Sequence, residues 1–203
     1  MHSFLFLIAT FGQAPPLAVP PNWSLLTHPT VQSALQLSVP QTRAIFAIRS
    51  TGNIVLKRLA RKHAKAPTPD PALPALEKFG KGLPLAKQER LSQITLQAYG
   101  PYVLTAPGVA KSLGLTGVGV DRITNLQLTE AATYNEKVRL YAAAHHVPTR
   151  IEQGDTVVPV ETPGIRQMHD ERDAKLTELL KQNLTKEQND LLAKMLGKPV
   201  KLN

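Results

Sequence analysis

Seventeen prolines, unevenly spaced along 203 residues, limit how far any helix in this chain can run. A proline inside a helix removes a backbone donor and collides with the preceding turn, so helices start just before it or stop short of it. Between these stops the apolar residues recur at helical spacing. The pattern predicts an all-α fold of short helical hairpins with an internal duplication, Pro-rich linkers and one irregular or extended insertion. After an extended PPLAVPPN segment, Trp23, Leu25 and Leu26 are expected to dock on a core. A short helix is predicted over Pro29 to Leu37. A longer one follows through Gln41 to Lys65, with Pro40 in its first turn and a break allowed at Ser50–Asn53. Its apolar residues Ile45, Ile48, Val55, Leu56 and Leu59 recur near helical spacing. Further helices are expected over Leu85–Ala98, Gly108–Leu113, Val118–His146, Gln167–Gln182 and Lys186–Leu196, most ended by Gly or Pro. Residues 149–166 are rich in β-branched residues and carry Gly154 and two prolines, which predicts a loop with a short extended piece, or a hairpin.

The expected organisation has four parts. Residues 1–14 read as a signal peptide, 15–66 as a first helical repeat with a basic helix, 67–84 as a Pro-rich linker, and 85–203 as a second repeat with C-terminal helices. The signal reading rests on the apolar run Phe4 to Phe11, too short to span a bilayer but of h-region length, followed by small Gly12 and Ala14. No Lys or Arg precedes the run, and a buried N-terminal turn or strand is the alternative. The expected location is periplasmic or secreted. The absence of cysteine excludes disulfides, thiolate metal sites and a cysteine nucleophile.

Two segments align without gaps: HPTVQSALQLS (28–38) on APGVAKSLGLT (106–116), matching Pro29 to Pro107, Val31 to Val109, Leu35 to Leu113 and Leu37 to Leu115. An L-[ST]-x-x-Q pattern occurs at Leu37-Ser38…Gln41 and at Leu184-Thr185…Gln188, with a degraded copy at Leu115-Thr116…Gly119. Its plain physical reading is a capping box, in which the hydroxyl accepts from the N3 backbone and the glutamine reaches back. The pattern also resembles the LT-x-x-Q repeats of Spy- and CpxP-type periplasmic proteins. Leu91–Thr116 together with Leu184–Pro199 is similar to a group of secreted helical proteins of planctomycete-type bacteria. The resemblance covers roughly residues 28–49, 83–137 and 184–202. It implies an envelope location and an all-α fold, and the Spy-like relatives imply the holding of unfolded polypeptides on a concave helical surface. It assigns no functional residue.

Charge supplies the one candidate site. The net charge is +9, and residues 1–69 hold all but two units of it: seven Lys or Arg and no Asp or Glu. Within KRLARKHAK, Lys57, Arg58, Arg61, Lys62 and Lys65 could meet an anionic partner, whether nucleic acid, a lipid surface or an acidic polymer, or could form a solvated face with no partner. A metal site from His145 or His146 with His169 and Asp173 is conceivable, but adjacent helix positions point about 100° apart, and exposed histidines are the simpler reading. Gly114, Gly117 and Gly119 match no phosphate-loop spacing, and neither HExxH nor GxSxG is present. The residues point to no catalytic group or cofactor, and the resemblance to Spy-like proteins implies a non-enzymatic envelope protein that binds peptides or partner proteins in a chaperone-like way. The alternative is a basic nucleic-acid-binding protein of the cytoplasm.

Overall fold

A computed structural model describes residues 19–61, 70–151 and 157–201, with only the backbone course of 59–61. The stretch read as a signal peptide lies outside the described residues. A 3-10 helix over Trp23–Thr27 leads into α1 (Pro29–Ala34) and α2 (Val39–Arg61). Then come α3 (Leu73–Lys81) and α4 (Leu85–Ala98). A second 3-10 helix, Gly100–Thr105, leads into α5 (Pro107–Ser112) and the long α6 (Gly117–Ala144). A two-stranded antiparallel hairpin, β1 (Thr149–Ile151) and β2 (Val157–Pro159), pairs Arg150 with Val158. The helices α7 (Pro163–Gln182) and α8 (Lys186–Leu196) close the chain. The fold is all-α with one small extended insertion.

Helix starts follow from local chemistry. At α2 the Ser38 N–H donates to Gln41 Oε1 at 2.9 Å, and the Gln41 N–H donates to the Ser38 hydroxyl at 3.4 Å. At α8 the same reciprocal pair joins Thr185 and Gln188. At α6 only half the box exists: Thr116 accepts from the Gly119 N–H at 3.2 Å, and a glycine has no side chain to return the bond. Each such cap contributes about 1 kcal/mol.

The aligned segments take the same backbone course. In each, a 3-10 helix precedes a six-residue helix with proline at its start. In each, a threonine hydroxyl closes the 3-10 turn: Thr27 onto the Ser24 carbonyl, Thr105 onto the Tyr102 carbonyl. Both short helices end on a left-handed residue, Gln36 at φ 49° and Gly114 at φ 63°. The next N–H reaches back to the carbonyl of Gln32 in one and Ala110 in the other, a Schellman-type closure. The anchors Leu26 and Leu104, Val31 and Val109, and Leu35 and Leu113 are all buried.

These anchors lie in two different cores. The first joins Leu26, Val31, Leu35 and Ile45 to Ala72, Leu76, Leu83, Leu91 and Ile94. The second joins Leu96, Val103, Leu104, Val109, Leu113 and Ile123 to Leu176, Leu180 and Leu184. Helix α4 belongs to both.

Four expectations need correction. Residues 67–84 are not a linker throughout, because α3 occupies Leu73–Lys81. Pro74 falls in its first turn, where proline is tolerated, and Leu76 is buried in the first core. Gly80 lies against the indole, and a Cβ there would stand 2.1 Å from Trp23. Second, α2 does not break at Ser50–Asn53. Gly52 serves close approach instead, since a Cβ would come within 2.9 Å of the Ala72 side chain. Third, the helically spaced apolar set is not buried throughout: Val55 is exposed, while Ile45 is buried and Ile48 packs against the core. Fourth, α7 begins at Pro163, inside the expected insertion, because the Thr162 hydroxyl accepts from the Ile165 N–H and caps it.

Candidate functional site

The predicted basic residues divide into three groups. Lys57 and Arg58 are exposed near the end of α2. Arg61 is the last residue of that helix, and Lys62 and Lys65 lie outside the described residues. Among the described residues neither Lys57 nor Arg58 forms an ion pair, whereas Arg49, on the inward side, pairs with Asp70 ahead of α3. That arginine, together with the Ala72 N–H donating to the carboxylate, holds Asp70 below its usual pKa, the backbone bond being the larger cause. Sequence reasoning missed the apolar side chains that share the outer face: Val39, Phe46 and Ile54 are 63%, 74% and 51% exposed. Their spacing was visible, but an apolar residue on a helix is first assigned to the core.

The histidines do different work from a metal site. The His145 ring stacks on Tyr141 at 4.0 Å between centroids, with its Nδ1 2.9 Å from the Tyr141 carbonyl oxygen. His169 lies edge-on to Tyr134. No group of three or more His, Cys, Asp or Glu among the described residues could hold a metal ion.

Around His169 a polar strut ties α6 to α7. Arg172 donates from Nε and Nη2 to Asp173 Oδ1 at 3.0 and 2.7 Å. Its Nη2 also lies 2.9 Å from His169 Nε2, so that ring nitrogen is the acceptor. The guanidinium sits 4.5 Å over the Tyr134 ring and 5.8 Å from that of Tyr102. Burial pushes the Tyr134 hydroxyl above its ordinary pKa, and the Arg172 charge partly opposes this. Lys175 pairs with Glu130 at 2.8 Å. Through Lys175–Glu130 and the Arg172 guanidinium over Tyr134, these charges join α7 to α6.

A mostly apolar cleft of about 250 Å³ lies beside the second core. Pro101, Val103 and Leu104 of the second 3-10 helix form one side. Leu180 of α7 and Leu184 in the following turn form another, and Leu192 and Leu196 of α8 complete it. Gln97, Thr177 and Lys181 supply its polar atoms. Gln97 is already committed: its Nε2 donates to the Leu196 and Lys198 carbonyls, and its Oε1 accepts from the Val200 N–H. No signal in the sequence pointed to this cleft, because its walls come from segments some 80 residues apart.

Compared with family models, curated proteins and solved structures, the chain matches none of them.

Proposed function

We propose that this is a non-enzymatic helical binding protein of the cell envelope, which takes apolar segments of other polypeptides in the cleft between the second 3-10 helix, α7 and α8. The observation that carries this reading is the size and lining of the cleft. Drug-sized ligands and cofactors occupy pockets of roughly 300–1,000 Å³ with convergent polar groups. A cleft of about 250 Å³ walled by Leu, Val and Pro suits one or two apolar side chains of a peptide. The resemblance to Spy-like proteins supports a chaperone-like use, and the apolar run Phe4 to Phe11 supports the location.

The test is aggregation of an unfolded client in the presence of excess protein, with labelled Leu- and Phe-rich peptides titrated in parallel. The wild-type protein should slow aggregation and bind the peptides, and Leu192→Glu should lose both while keeping its helical circular dichroism. Aggregation unaffected by any excess of protein would count against the proposal.

The exposure of Lys57 and Arg58 favours a second reading, binding of nucleic acid through the end of α2. Undetectable binding to single- and double-stranded DNA at low salt, where the electrostatic contribution is largest, would remove it.

A further inference from the structure

The outward face of α2 combines two properties that are seldom left together on a water-facing helix. Val39, Phe46 and Ile54 turn large apolar side chains to solvent, spread over about 22 Å of helix length. Arg43, Lys57 and Arg58 are exposed among and beyond them. Helix α2 contains no acidic residue, and none occurs anywhere in residues 1–69. Its other side is anchored by Ile45 in the first core and by the close approach of Gly52 to Ala72, so this face can meet a partner without melting the helix.

We propose that this face of α2 docks on the surface of an anionic lipid bilayer, a site separate from the apolar cleft. An interfacial helix of this kind sinks its apolar side chains to the headgroup–acyl boundary and meets anionic headgroups with Lys and Arg. Both halves of the face are then used. A nucleic-acid backbone would engage the charges alone and leave Phe46, three-quarters exposed, without a role. A second copy of α2 would bring like charges together. No helix among the described residues is long and apolar enough to cross a membrane.

Flotation of the full-length protein with vesicles tests this. It should float with phosphatidylcholine vesicles containing phosphatidylglycerol, stay behind with phosphatidylcholine alone, and be released by high salt. Phe46→Ser should weaken binding about tenfold or more. Lys57→Glu with Arg58→Glu should weaken it by a similar factor. Since residue 46 is outside the core, Phe46→Ser should keep the wild-type melting curve. A Phe46→Trp variant provides a direct readout, a blue shift of emission on adding anionic vesicles beyond that of the native Trp23. Equal flotation with neutral vesicles would overturn the proposal. So would anionic-vesicle binding indifferent to Phe46→Ser, or capture of single-stranded DNA in place of vesicles.

Discussion

The two segments that begin at Trp23 and at Gly100 follow one backbone plan with different residues at its hardest points. Both need a left-handed residue where the short helix turns. The second uses Gly114, the first uses Gln36. Both need a cap on the long helix. The first has the complete box of Ser38 and Gln41, while the second has Thr116 facing Gly119. Each segment is therefore well made where the other is compromised, and a shared backbone does not require equal stability at each step.

The comparison can be broken most forcefully at the anchors. Leu26→Ala and Leu104→Ala should each cost about 2–5 kcal/mol in urea unfolding, because both side chains are buried in their cores. A loss at one position and not the other would mean that only one segment is truly built on its anchor. The turn gives the next effect. Gly114→Gln should destabilise by about 1 kcal/mol, and Gln36→Gly should stabilise by a similar amount, since a left-handed conformation is costly for a residue with a Cβ. Thermal melts of the two variants should move in opposite directions.

The caps sharpen the contrast further. Gly119→Gln should raise stability by about 1 kcal/mol, both by completing the box and by removing a glycine from a helix. There is room, because a Cβ at Gly119 has its nearest contact at 3.6 Å. Gln41→Ala should lower stability by somewhat less. Asp70 should give the smallest effect. Its folded pKa lies below the unfolded value, so its contribution is present above the ordinary carboxylate pKa near 3.8 and fades as pH falls through the lowered one. Asp70→Asn should flatten that part of the acid-unfolding profile. The second segment ties its long helix to α7 through Lys175 and Glu130 instead, so Asp70→Asn should leave that half's acid response unchanged.

Much of the fold was legible in local chemistry. Helix α4 ends just ahead of Gly100, helix α8 begins and ends at its cap and its glycine as predicted, and both capping boxes form. Proline density misled at α3: four prolines between Pro67 and Pro74 look like a linker, but the last of them only opens a helix. Glycine misled at Gly52, where the reason for the residue is Ala72, twenty positions along the chain. The two 3-10 helices were too short for any period to register. Of the candidate site, Lys57 and Arg58 were readable as charge on a helix. The exposure of Phe46 and the cleft beside Leu184 were not, since both depend on which faces the rest of the chain leaves uncovered.

Helix α4 has a consequence for how the molecule comes apart. Ile94 is sealed in the first core and Leu96 in the second, two residues apart on one rigid rod. Ser92 and Thr95 tie that rod to the incoming chain at Val19 and Asn22, and Arg90 and Gln97 tie it to the outgoing tail at Lys198 and Val200. Melting α4 uncovers Leu91 and Ile94 in the first core and Leu96 in the second, so each half loses part of its core once this helix opens. The protein should unfold as one cooperative unit, with the slowest-exchanging backbone amides in α4.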